Sequence, residues 1–214
     1  MKMVVKVGSN ILADEHGLSE TRIQSIAKDV SKVSEMGHDV VIVSSGAVAA
    51  GMRKLGLKTK PKDIKVKQAV AAVGQSSLMW AYEKGFGQYE KKVAQILLTA
   101  EDLSDRKRYI NSRNTILTLL SFGVIPIINE NDTVATNEIK FGDNDQLAAL
   151  VASSIGAEKL IILSDVDGLY SEDPRKNPKA DIIGDVYEIT PKMMESAGLS
   201  GSAVGTGGMY SKLL

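Results

Sequence analysis

Short apolar runs alternate with longer segments of helical period along most of this chain, and that alternation limits the fold more than any other feature. Residues 3–7, 40–43, 93–98, 124–128 and 159–163 are strand-sized and apolar, as expected of parallel strands covered on both faces. Between them, residues 19–36 carry Ile23, Ile26, Ala27, Val30 and Val33 on one face, with Ser19 as N-cap and Gly37 as stop. Residues 63–82 form a second helix with Gly74 as its weak point and Trp80 assigned to the core or to an interface. Ile116, Leu117, Leu119 and Leu120 mark a third, ended by Gly123, and Leu147, Ala148, Leu150, Val151 and Ile155 a fourth, capped by Asp143 or Asn144. Connections between these segments are short. The expected fold is α/β: a three-layer sandwich with a mostly parallel central sheet and helices on both faces. Residues 134–141 are the exception, a β-hairpin about Asn137 set over the expected ligand crevice. Residues 171–183 read as loop, 191–197 as a short helix, and another helix starts near Lys212.

Composition removes several classes of function. With 26 Lys and Arg against 26 Asp and Glu in 214 residues, no net field favours nucleic acid or an acidic membrane. The lysines between Arg53 and Lys67 are read as a solvated helix flank. A hydrophobic content of 43% suits one sizeable core, and no internal break divides the chain. Cysteine is absent, so disulfides, thiolate metal sites and a cysteine nucleophile are excluded. The only histidines, His16 and His38, lie far from the polar clusters, which argues against a histidine base. Neither a signal peptide nor an apolar run of membrane-spanning length is visible, so a soluble cytoplasmic protein is expected.

The polar residues gather where an α/β sheet collects ligands, beyond strand ends and at helix N-termini. Lys6 lies inside the first strand, directly before Gly8, Ser9 and Asn10, and a charge there needs a partner. Ser44, Ser45 and Gly46 stand at a strand-to-helix junction that lets backbone amides approach an anion. Asn129, Asn131 and Asp132 follow the 124–128 strand; Asp143, Asn144 and Asp145 open the 147–155 helix; Ser164, Asp165 and Asp167 follow the 159–163 strand. Taken singly, each admits a cap or turn as its whole explanation. Gly205, Gly207 and Gly208 precede Lys212 without matching a P-loop or a GxGxxG pattern. Together, two lysines, glycine-rich turns and carboxylates without a histidine base suit phosphoryl transfer. A carboxylate acceptor is already ionised at neutral pH and needs no proton removed. Asp145 is the candidate organiser between Lys6 and Lys212.

The ordered motifs KVGS at 6–9, SSGAVAAG at 44–51, AAVGQ at 71–75, NEND at 129–132, GDND at 142–145, SDVDGLY at 164–170 and GTGGMYSK at 205–212 resemble those of the glutamate 5-kinases, in the amino acid kinase superfamily. The resemblance runs over practically the whole chain. It implies ATP-dependent phosphorylation of the side-chain carboxylate of L-glutamate, the first step toward proline. By this likeness Lys6 and Lys212 are catalytic and Asp145 orients them, while Ser45, Asp132, Asn144 and Asn129 hold glutamate. ATP is expected on Lys6, Gly8, Gly46, Ser164, Asp165, Thr206, Gly207, Gly208, Met209, Tyr210, Ser211 and Lys212, with Mg2+ on its phosphates and no protein-built metal cage. A homo-oligomer, a dimer or tetramer, inhibited by proline near the glutamate pocket is also implied. Two departures stand out: Ser9-Asn10 replaces the usual Thr-Ser, and residues 1–214 make one kinase domain without that family's later strands or PUA domain. Competing readings are a kinase for acetylglutamate or aspartate, a non-catalytic amino-acid sensor, and, from LIILSDVDG at 160–168, a haloacid-dehalogenase-like phosphatase with Leu169 where threonine is needed.

Overall fold

The computed structural model describes residues 1–14, 17–135, 144–195, 197 and 209–213. From the amino end, β1 (Lys2–Val7) leads through α1 (Ser9–Leu12) and the ribbon β2 (Ala13–Asp14) and β3 (Gly17–Leu18) into α2 (Glu20–Glu35). Then come β4 (Asp39–Ser44), α3 (Ala47–Lys54), α4 (Ile64–Gly87), β5 (Lys92–Leu98), α5 (Ala100–Ser104), α6 (Arg106–Ser121) and β6 (Val124–Glu130). The remainder is α7 (Asn144–Ile155), β7 (Lys159–Leu163), β8 (Leu169–Tyr170), β9 (Ile182–Ile183), α8 (Pro191–Met194) and α9 (Met209–Leu213).

Among the described residues the main sheet runs β5-β6-β4-β1-β7, and every pairing in it is parallel. Period-two alternation sends its side chains into two cores. Val5, Val7, Val40, Ile42, Ile125 and Ile127 pack with α2 and α4 on one face. Val4, Val41, Val43 and Ile128 pack with α6 and α7 on the other. Helices on both faces of a parallel sheet are the expected three-layer arrangement. Lys6, two residues after Val4, falls on the α7 side, so its charge emerges where α7 begins.

The helix ends follow local chemistry. The Asp63 carboxylate accepts the N–H groups of Lys65 and Val66 and starts α4. Gly37 and Gly123 adopt positive φ, 82° and 69°, just after α2 and α6. α4 runs five residues beyond the expected end at Tyr82, because Gly85 sits under Ala27 and Ile23 of α2 and packing outweighs its low helix propensity. Gly74 is not a weak point but a close approach: a Cβ there would lie 1.8 Å from the Ala47 carbonyl oxygen, and one at Gly51 would lie 1.8 Å from that of Val70. α3 and α4 therefore cross backbone to backbone.

Of the two places expected for Trp80, the core is removed by its 57% exposure; the Lys84 ammonium lies 5.0 Å over its ring. Three other expectations need correction. β7 is not covered on both faces: it pairs only with β1 among the described residues, and Ile161 is exposed. α5 and the first turns of α6 were not expected, although Thr99 and Asp102 form a capping box and Asp105 caps α6. The loop over 171–183 ends in β9, which pairs antiparallel with β8. Of the expected hairpin only Val134 and Ala135 are described, in a turn closed onto the Asn131 carbonyl; the rest, with Asn137 and the alternative cap Asp143, lies outside the described residues.

Candidate active site

The carboxyl ends of β1, β4, β6 and β7 and the first turn of α7 meet at one place. Asp145, 3% exposed, opens α7 and takes a lysine on each oxygen. Lys6 Nζ is 2.5 Å from Oδ1, and Lys212 Nζ of α9 is 3.2 Å from Oδ2. Lys6 is itself only 5% exposed, so its charge depends on this partner. Burial pushes the Asp145 carboxyl pKa up, but the hydrogen bond and charge of Lys6, with those of Lys212, outweigh it and hold the group below the ordinary aspartate value. Two residues from opposite ends of the sequence thus share one anion, as the sequence suggested.

Next to Asp145, Asn144 ties three elements together. Its Nδ2 donates toward the Ser44 carbonyl at 2.6 Å, Asn129 Oδ1 at 2.9 Å and Ser45 Oγ at 3.1 Å. Asn129 Oδ1 also accepts the Glu130 N–H, and Asn129 Nδ2 donates to Gln75 Oε1 at 2.9 Å. Asp132 lines a cavity of about 300 Å³ together with Gln75, Glu130, Asn131 and Thr133. The Ser44 hydroxyl meets Tyr82, whose phenol pKa is pushed up by burial and partly brought back by that hydrogen bond.

Two turns bring backbone amides to the same side. Gly46, at φ 103°, is the residue before α3, and the Ser45 N–H bonds the Val7 carbonyl at 3.0 Å, fixing this junction to the end of β1. Gly8 precedes α1; a Cβ there would sit 3.7 Å from Lys6 Nζ, so the turn lies against the ammonium. Asn10 Nδ2 donates to Asp165 Oδ2 at 3.2 Å and joins the turn after β1 to the segment after β7. That bond is the largest cause of the lowered Asp165 carboxyl pKa, against modest burial, with Ser164 and Arg175 adding to it. The unusual Asn10 therefore has a defined partner.

Met209 and Tyr210 lie half-buried on α9 with Lys212, and Ser211 belongs to the same helix. Thr206, Gly207 and Gly208 fall outside the described residues. Sequence reasoning assigned no role to Gln75, Glu130 or the Ser44 carbonyl. A glutamine among small residues in AAVGQSS, one turn after buried Ala71, was the available signal for Gln75. Among the described residues, no three His, Cys, Asp or Glu side chains cluster so as to hold a metal ion. No described helix is long and apolar enough to cross a membrane.

A sequence profile of the amino acid kinase family matches residues 1–214. The chain belongs to the amino acid kinase family. This amino acid kinase is 54% identical over 213 residues to a glutamate 5-kinase of Geobacter metallireducens, covering 99% of this chain and 57% of that protein. It is 54% identical to a glutamate 5-kinase of Meiothermus ruber, covering 100% and 56%, and 51% identical to one of Cupriavidus metallidurans, covering 100% and 58%. The chain thus spans a little over half the length of the curated relatives it matches. Among solved structures, an aspartate kinase from Synechocystis superposes with a TM-score of 0.58 over 86% of this chain and 32% of that one, at 16% identity. That likeness concerns the fold alone.

Proposed function

We propose that this chain carries the catalytic centre of a glutamate 5-kinase, transferring the γ-phosphoryl group of ATP to the side-chain carboxylate of L-glutamate. The observation that carries the proposal is the pair of lysines held on the two oxygens of Asp145, one from β1 and one from α9. An acceptor carboxylate oxygen forms the new bond to phosphorus, the bond from phosphorus to the β,γ-bridging oxygen breaks, and ADP leaves. No proton is removed, which accords with a site built without histidine. Lys6 and Lys212 offset the charge on the transferring group, and Asp145 keeps both ammonium groups aligned. The amides at Gly8 and Gly46 are suited to the phosphate oxygens, while Ser164, Asp165 and the 206–212 segment would hold the nucleotide. Ser45, Asn129, Asp132 and Asn144 would hold glutamate.

Magnesium would arrive on the nucleotide, where it neutralises phosphate charge. Both Asp145 oxygens are engaged by lysines, so the donor set here suits a metal carried by ATP rather than one caged by carboxylates. Proline inhibition and a homo-oligomer are proposed on the same resemblance; turnover unaffected by millimolar proline would remove the first.

The test is a hydroxamate trap for acyl phosphate, run with glutamate, acetylglutamate and aspartate on the full-length protein. Trapped product with glutamate, lost in Lys6→Met and Lys212→Met, is expected. Product with acetylglutamate or aspartate and none with glutamate would overturn the assignment.

A further inference from the structure

The three acceptors around Asn144 Nδ2 fix which end of this amide faces them: reversed, its oxygen would stand against the Ser44 carbonyl, Ser45 Oγ and Asn129 Oδ1. The Asn144 oxygen is therefore the end turned the other way. That orientation depends in turn on Asn129. Its Oδ1 accepts from both Asn144 and the Glu130 N–H, which sets its sense, and its Nδ2 is anchored by an acceptor of its own, Gln75 Oε1. An amide chain thus runs from the middle of α4, over the ends of β6 and β4, to the first turn of α7.

Gln75 is an odd residue for packing alone. Among the described residues its buried Nε2 has no hydrogen-bond partner, a burden that a hydrocarbon side chain would avoid. Its acceptor half, by contrast, is joined to the relay, and its side chain borders the cavity that Glu130, Asn131 and Asp132 line.

We infer that Gln75 is a positioning residue for substrate specificity: through Asn129 it holds Asn144 with the carbonyl outward, so that the site selects an acceptor bearing a protonated amine. This rests on the reading that Asn144 and Asp132 hold the amino-acid substrate. An outward amide oxygen and a carboxylate recognise an ammonium group, whereas an outward NH2 would favour a second anion instead. Glutarate, which has both carboxylates of glutamate and no amine, is the discriminating probe.

The experiment compares wild type, Gln75→Met and Gln75→Glu, full length, on glutamate, glutarate and ATP. Gln75→Met is expected to raise the KM for glutamate about tenfold, to leave the KM for ATP in place, and to shrink the preference for glutamate over glutarate by a similar factor. Gln75→Glu keeps an acceptor oxygen toward Asn129 and should retain most of that preference. An unaltered preference in Gln75→Met, or equal damage to all parameters in both variants, would overturn the inference. Absence of glutamate turnover in wild type would instead refute the functional reading. The relay is then judged on the side-chain amide protons of 15N-asparagine-labelled protein: slow exchange at Asn144 that becomes fast in Gln75→Met supports it, and identical exchange overturns it.

Discussion

Asp145→Asn changes almost no volume and removes the one charge that Lys6 and Lys212 share. In the native site both lysine nitrogens stand within 3.2 Å of its oxygens, on side chains only 7% and 15% exposed. Two ammonium groups about 5 Å apart repel by about 3 kcal/mol at an effective dielectric of about 20, and Asp145 no longer offsets them. Lys212 can relax outward, but Lys6, inside the sheet, cannot. Leaving a buried charge unpaired costs about 3 kcal/mol, at the lower end of the usual range. With a urea slope of about 3 kcal/mol/M, the unfolding midpoint should fall by about 1 M, read by far-ultraviolet circular dichroism. Misaligned lysines should lower kcat by about 100-fold. The KM for ATP should not rise, because phosphate oxygens then become the missing counter-ion, and ATP should stabilise the variant more than it stabilises wild type. A variant with a wild-type midpoint and a kcat within a few-fold of wild type would refute this account of the triad.

Three further outcomes are expected. Because the folded Asp145 carboxyl is held below its ordinary value, its contribution to stability is complete above the unfolded aspartate pKa of about 3.9 and disappears as pH falls through the lower folded value; the wild-type urea midpoint should drop below pH 4 more steeply than that of Asp145→Asn. Lys6→Met should cut turnover by about 100-fold or more, whereas Lys212→Met, on the more exposed partner, should do so with the smaller change in melting temperature; equal turnover to wild type in either would contradict its role. Gly74→Ala puts a methyl group onto the Ala47 carbonyl and should cost about 3 kcal/mol, seen as a lowered melting temperature, while Gly87→Ala, with open space around it, should cost none.

What could be read from the residues alone was whatever local chemistry dictates. β1, β4 and β6 are apolar runs flanked by helices of clear period, so the layered sheet followed from periodicity. Lys6 was legible because a charge in a covered strand demands a partner, and Asp145 because a carboxylate suits a helix start. The register that joins them was not legible, since only the pairing of β1 with both β4 and β7 sets how far Lys6 reaches. For Trp80 the choice between core and interface was not legible, because an aromatic at helical spacing suits both and its exposure depends on how α4 is rotated over α3. α5 escaped notice because five residues carry no period, although the Thr99–Asp102 capping box was written in the sequence. Gln75 stayed silent for another reason: an amide's orientation is fixed by neighbours that arrive from α7 and β6, and no local pattern encodes them.

The position of β1 has a consequence for how this protein is made. It precedes both of its sheet neighbours in the sequence, yet it ends up between them, with Met3 opposite Val40 on one side and Lys159 on the other. Its first neighbour, β4, follows α2, but the second, β7, is synthesised only after α3, α4, β5, α6, β6 and α7. During that interval the Lys2–Val7 backbone offers an open row of amides and carbonyls beside valines, the kind of border at which nascent chains stick to one another. Yield in a cell should therefore be most sensitive to changes that delay the docking of Lys159–Leu163, even though that strand carries little of the final core.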